Sequence, residues 1–129
     1  MAKIDKISTD SVTPPAGHYS AATVHNGVVY VSGQLPRVPG KPDLFLDTIE
    51  AQTRQALANA EAILLAAGSR RDRVLKATLY ISDIALWGQV NAEYAAFFGD
   101  HKPARAIVPV GKFRNGFLIE IEMVAALAE

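Results

Sequence analysis

One charge in this sequence is well placed for chemistry. It lies in His101-Lys102-Pro103-Ala104-Arg105-Ala106-Ile107-Val108-Pro109-Val110. Lys-Pro ends whatever precedes it, because proline lacks an N–H and pushes its predecessor out of helical geometry. A strand is expected from near Ala104, with Arg105, Ile107 and Pro109 on one face and Ala106, Val108 and Val110 on the other. Arg105 is then a guanidinium at a strand start, among small or apolar neighbours, with no adjacent acid. Two uses fit. Its stem can lie on apolar surface with the head in water, or its planar fork can receive a carboxylate in two bonds.

The second chemical group lies in the last strand, expected from Phe117 to about Ala126. Alternation points Phe117, Ile119, Ile121 and Met123 one way, and Leu118, Glu120, Glu122 and Val124 the other. Two acids thus interrupt an apolar face. One face of a sheet can be wet, but Leu118 and Val124 flank the acids and argue for a cover. A second copy of the chain is the natural lid, so a homo-oligomer meeting on that face is expected. Arg105 and Glu120 then suggest a small polar pocket with apolar walls. Arg105 would hold the carboxylate of an organic acid, and a partly desolvated Glu120 could pass a proton or position a water. Tyr19 could add a hydroxyl or simply pack. Ser32 and Gly33 end a buried strand where backbone can approach a ligand, or make only a turn. Asn91 sits on the apolar side of a helix, where its amide needs partners, in the loop backbone or on a ligand.

The elements that position these groups follow from local signals. Ile4 to Val12 begins with a short edge strand, and Pro14-Pro15-Ala16-Gly17 makes a loop. Ser20 to Val24 and Val28 to Ser32 flank Asn26-Gly27, a hairpin signal. Val28-Val29-Tyr30-Val31 is apolar on both faces and so expected to be covered on both. Asp47 and Glu50 have capping-box spacing, with Asp47 at the cap, and Gly68 closes the helix that follows. Ile49, Ala56, Ala60, Ile63 and Ala67 line its inner side. Val74 to Ile81 reads as a strand with Leu75, Ala77, Leu79 and Ile81 facing the helices. Ser82-Asp83 is expected to cap a second helix, with Trp87, Val90, Tyr94, Phe97 and Phe98 inward and Gly99 at its end. Gly111 to Gly116 forms a basic turn.

Composition bounds the rest. A chain of 129 residues fits one domain, residues 1–129, able to bury roughly two-thirds of its unfolded surface. Half of its residues are hydrophobic and its formal net charge is zero, which argues for a folded chain and against disorder. Neutral charge also removes the simplest case for nucleic acid, which needs Lys and Arg gathered on one surface. The cluster Arg70, Arg71, Arg73 and Lys76, and the pair Lys112 and Arg114, are short and read as solvated turns. There is no cysteine, so no disulfide framework and no thiolate nucleophile. His18, His25 and His101 lack metal-ligand spacing, so no metal is expected. No signal peptide or membrane-spanning run is read, and the cytoplasm is the default location. No Ser-His-Asp order, P-loop or dinucleotide glycine pattern is present.

The chain resembles the RidA (YjgF) family of reactive intermediate deaminases along nearly its whole length. The segments that carry the resemblance are Gly17-His18-Tyr19-Ser20, Val29-Tyr30-Val31-Ser32-Gly33-Gln34, Glu50-Ala51-Gln52-Thr53-Arg54-Gln55, Ala66-Ala67-Gly68, Val90-Asn91-Ala92-Glu93-Tyr94, Pro103-Ala104-Arg105 and Ile119-Glu120-Ile121-Glu122. The resemblance implies an α+β, chorismate-mutase-like fold of the Bacillus type, with one mixed sheet and two helices packed on one face. It implies a homotrimer with active sites between subunits. It also implies cofactor-free hydrolysis of short 2-enamino or 2-imino acids, such as 2-aminoacrylate, to 2-keto acids and ammonia. By position Arg105 is similar to the family's carboxylate-binding arginine and Glu120 to its water- or proton-handling glutamate. Tyr19, Ser32, Gly33 and Asn91 are similar to pocket residues, and Ile107 can serve as a substrate-binding position if the role there is a backbone contact, whereas a side-chain role is lost. His18 replaces the usual proline, and Ala106-Ile107 the usual Ser followed by Cys or Thr, changes expected to favour larger or more apolar acids. Two other functions remain open: a pathway-specific deaminase, for example of 2-aminomuconate, and a carboxylate-binding protein without turnover.

Overall fold

A computed structural model describes residues 2–129. β1 (Asp5–Ile7) pairs antiparallel with β2 (Ala22–His25), which turns through Asn26-Gly27 into β3 (Val28–Gln34). Asn26 and Gly27 have φ of 49° and 78°, the left-handed pair that a two-residue hairpin turn requires. α1 (Ile49–Ala67) follows, then β4 (Val74–Ile81), α2 (Trp87–Phe98), β5 (Ala104–Pro109) and β6 (Ile119–Ala126). The sheet order is β1-β2-β3-β6-β4-β5. β4 and β5 are parallel, joined by the α2 crossover, while β6 runs antiparallel between β3 and β4. This is the expected α+β arrangement of a mixed sheet with both helices on one side.

That side holds the core. Ala77, Leu79 and Ile81 of β4 and Ile119, Ile121 and Met123 of β6 meet Leu57, Ile63 and Leu64 of α1 and Val90 of α2. Each fully buried Val, Leu, Ile or Met side chain contributes ~1.5–3 kcal/mol relative to exposure. α1 ends as expected at Gly68, whose φ of 90° lets its N–H close the last turn. Ser69 Oγ then donates to the Ala126 carbonyl at 2.6 Å, tying the helix exit to β6.

Three local expectations are corrected. The α1 cap is Thr48, not Asp47: its hydroxyl accepts from the Ala51 N–H at 3.1 Å, the reach that defines a cap. Asp83 caps a 3₁₀ turn, Ile84–Leu86, and α2 starts only at Trp87, which is 40% exposed. In β4 the pairing with β6 slips between Val74 and Lys76. That bulge turns Val74 inward and leaves Leu75 half exposed. On the side away from the helices Tyr30 is also half exposed, so β3 is covered by its own chain on one face alone.

Two buried amides on α1 hold the loops that frame this open side. Gln52 donates to the Leu46 carbonyl and accepts from the Leu118 N–H, both at 2.8 Å. Asn59 donates to the carbonyls of Leu35 and Arg37 at 3.1 and 2.9 Å. Buried polar groups satisfied in this way rigidify what they touch.

Candidate active site

Glu120 lies on β6 opposite Tyr80 of β4, on the sheet face away from the helices. Beside it the β3–β6 pairing is irregular between Val31 and Gln34, which places Ser32-Gly33 in a bulge. A Cβ on Gly33 would lie 2.8 Å from Glu120 Oε2 and 2.9 Å from its Cδ. The carboxyl therefore rests directly on glycine backbone, a contact that any other residue would disturb. Burial pushes the Glu120 carboxyl above the usual carboxylate range, and the Glu122 charge adds to the shift. Glu122 itself accepts a hydrogen bond from the Tyr80 hydroxyl, the main cause of a raised Tyr80 pKa.

A cleft of about 590 Å³ opens over Glu120, with Tyr19, Ser32, Gly33, Phe117 and Arg114 among its walls. The Ser32 hydroxyl donates to the Ser20 carbonyl at 2.6 Å, so its proton is committed and only its oxygen lone pairs remain for a ligand. Tyr19 lines the cleft and is 44% exposed.

Arg105 stands elsewhere. It pairs with Ala77, a core-facing position of β4, so its side chain lies over α2. Its Nη1 donates to Asn91 Oδ1 at 2.7 Å. Its Cζ sits 5.0 Å from the Tyr94 ring centre and 5.6 Å from that of Trp87. Asn91 thus bonds to Arg105 and not to loop backbone. Trp87, Asn91 and Tyr94 share one face of α2 by their spacing of four and three residues, and together they aim the guanidinium. No acid pairs with Arg105 among the described residues. The Tyr94 hydroxyl is buried without a hydrogen-bond partner, and that burial raises its pKa against the pull of Arg105. A smaller cavity of about 380 Å³ reaches Asn91, Tyr94, Phe98, His101 and Arg105. Ile107 is half-buried on the same face, opposite Leu79.

Within one chain the expected site residues therefore form two groups on opposite sides of the sheet. Tyr19, Ser32, Gly33 and Glu120 share the large cleft, and Asn91, Arg105 and Ile107 lie on the helix side. Sequence reasoning missed Arg37, which also lines the large cleft, and read Arg114 as a solvated turn. It treated Trp87 and Tyr94 as packing alone, although their spacing to Asn91 carried a usable signal. Among the described residues no cluster of three potential metal ligands occurs, and no helix is long and apolar enough to cross a membrane.

Comparison with known proteins adds to this geometry. The sequence profile described as endoribonuclease L-PSP matches residues 10–127. A RutC-family protein of Pyrococcus horikoshii is 39% identical over 119 residues, which cover 92% of this chain and 94% of the relative. A rat 2-iminobutanoate/2-iminopropanoate deaminase is 37% identical over 92% of this chain and 87% of its own length. The crystal structure of a Rid-family protein of unknown function from Yersinia pestis superimposes with a TM-score of 0.92 at 40% identity, covering 97% of this chain and all of that one. The sheet order and helix placement are those of the YjgF, chorismate-mutase-like fold. The chain belongs to the endoribonuclease L-PSP family, the RidA/YjgF group of proteins.

Proposed function

We propose that this protein hydrolyses short 2-imino and 2-enamino acids to 2-keto acids and ammonia, in clefts between the subunits of a homotrimer. The observation that carries the reading is the Glu120 carboxyl, seated on Gly33 at the floor of an open cleft with its pKa raised toward working pH. The oligomer follows from two further features. Tyr30, Val108 and Val124 leave apolar surface on the open sheet face. Arg105, unneutralised and aimed by Asn91, is displayed at the edge strand, where a neighbouring copy's Glu120 cleft can meet it.

In that joint cleft Arg105 holds the substrate carboxylate in a two-bond fork and orients the C=N carbon. An enamine is first protonated at C3 to give the imine. Water then attacks C2, and the C=N electron pair moves to nitrogen. Glu120 takes a proton from the attacking water and gives it to nitrogen, which leaves a carbinolamine. It then takes the carbinolamine hydroxyl proton and passes it to the same nitrogen, the C–N bond breaks as the C=O bond forms, and ammonia leaves the 2-keto acid. An imine is already electrophilic, so orientation and proton handling suffice without a strong nucleophile. Identity at the level of 37% to a deaminase of 2-iminobutanoate and 2-iminopropanoate supports the same reaction class here.

The test supplies imines from an amino-acid oxidase and follows 2-keto acid release above the spontaneous rate. Arg105→Ala and Glu120→Ala are each expected to lose about 100-fold or more in kcat/KM. Mixing the two variants in equal amounts is expected to restore about a quarter of wild-type activity. Three-quarters of randomly assembled trimers are mixed, and each contains one intact site of three. A wild-type protein that accelerates no imine, or a mixture as inert as its parts, overturns the reading.

A further inference from the structure

The geometry points to a second anion-binding position in the Glu120 cleft: Arg37 and Arg114 on its rim receive a distal carboxylate, so the site favours 2-imino acids with two acid groups. The inference rests on the deaminase site proposed above and narrows its substrate class.

The chain has seven arginines. Arg54, Arg70 and Arg71 pair with Glu93, Asp72 and Glu61, and Arg73 donates to the Leu127 carbonyl. Among the described residues Arg37, Arg73, Arg105 and Arg114 have no acid partner, and of these Arg73 is not part of the Glu120 cleft. Arg105 has its role in the proposed site. Arg37 and Arg114 both line the cleft that contains Glu120, although one follows β3 and the other precedes β6. Two unneutralised guanidiniums from distant segments on one rim form a receiver for an anion.

The rim is built before a ligand arrives. Asn59, 3% exposed, holds the Arg37 carbonyl at 2.9 Å. Gln52, fully buried, fastens Leu46 and Leu118 to the same helix. Phe45 from the first loop packs on Phe117 with ring centres 6.1 Å apart, and a Cβ on Gly116 would come within 3.3 Å of Phe45. Arg114 opens a turn whose Asn115 and Gly116 have φ of 62° and 75°. Backbone fixed in this way leaves only side-chain freedom to be lost on binding, which favours affinity. The one hydrogen bond of the Arg37 guanidinium, to the Pro14 carbonyl at 3.4 Å, is long and leaves its other donors free.

Position within the cleft fits the same assignment. Arg37, Arg114 and Glu120 line one cleft. A substrate held by Arg105 at C1, with C2 beside Glu120, extends its far end to the rim. The reaction is unchanged: water adds across C=N and ammonia leaves, while the distal carboxylate stays intact.

The experiment compares 2-oxoglutarate with 2-oxobutanoate in calorimetric titrations of the full-length protein. Turnover of imines generated from glutamate and from alanine is measured in parallel. Wild type is expected to prefer the dicarboxylate at least tenfold. Arg37→Gln and Arg114→Gln should each cut that ratio several-fold, and the double variant should bring it near one, with unaltered thermal melting as the folding control. A wild-type ratio near one, or a preference that survives the double variant, overturns the inference. If Arg105→Ala still abolishes binding of both acids in that case, the deaminase site stands and only the second position fails. If Arg105→Ala alters neither ligand, both readings fall.

Discussion

The two sides of β6 make opposite uses of one strand. Ile119, Ile121 and Met123 point to the helices and are at most 1% exposed, in a core that the chain completes by itself. Glu120, Glu122 and Val124 point the other way and remain half-buried on a face that no element of the chain covers. The covered side is redundant, because every apolar group there has several apolar neighbours. The open side is particular: Glu120 depends on the missing side chain of Gly33, and Glu122 on the Tyr80 hydroxyl. Stability should therefore reside on one side and reactivity on the other, and single substitutions can separate them.

The largest effect is expected on the covered side. Ile121→Ala empties a fully buried position between α1 and the sheet and should cost ~3–4 kcal/mol of unfolding free energy in a urea titration, with kcat/KM of the surviving folded fraction little changed. A loss below about 1 kcal/mol would show that the core relaxes around the cavity and that the contrast between the sides is overstated. Gly33→Ala probes the other side. Its methyl displaces the Glu120 carboxyl, so kcat/KM for imine hydrolysis should fall about tenfold, equivalent to ~1.4 kcal/mol of barrier, while the denaturation midpoint moves little. Equal activity in the alanine variant would mean that the carboxyl does not need its seat on the backbone.

The smallest effect is a pH-dependent gain. Glu120 has a raised pKa in the folded protein, so its ionised form is disfavoured there, and the stability it contributes when protonated is lost as pH rises through the folded value. Glu120→Gln should accordingly melt higher than wild type at pH 7.5, by less than about 1 kcal/mol because the group is partly solvated. The difference should vanish at about pH 3.5, below the ordinary carboxyl pKa. The pH profile of kcat/KM should rise through a value above the usual carboxylate range in wild type. A Gln variant that melts lower than wild type at pH 7.5 would show that the carboxylate is stabilised, not strained, on the open side.

Signals with a local physical cause were legible in the sequence. Asn26-Gly27 admits left-handed backbone and forms the hairpin, Gly68 does the same at the helix end, and period-two alternation sorts the faces of β6. Where two residues could serve equally, spacing misled. Asp47 and Thr48 are both competent caps, and the winner is the side chain that reaches the Ala51 N–H. The bulge at Val74 was invisible because alternation has no term for an inserted residue. Contacts between distant segments were out of reach for the same reason. Gly33 and Glu120 meet only because β3 and β6 are neighbours in the sheet, and Arg37 joins Arg114 only because α1 amides hold both loops. The aim of Arg105 was closer to hand, since Trp87, Asn91 and Tyr94 fall on one helical stripe.

The sheet order has a consequence for assembly of the chain. β6 is the last strand in sequence yet lies between β3 and β4, so a polypeptide stopped short of Ile119 can form only two separate ribbons, β1-β2-β3 and β4-β5. Each would bare a raw edge rich in Val, Leu and Ile to any other nascent strand. The closing strand must bridge residues nearly a hundred positions apart, Val28 with Ala126, a non-local pairing of the kind that slows folding. Protection of the half-made protein from its neighbours thus falls on that interval, until the keystone strand slides home.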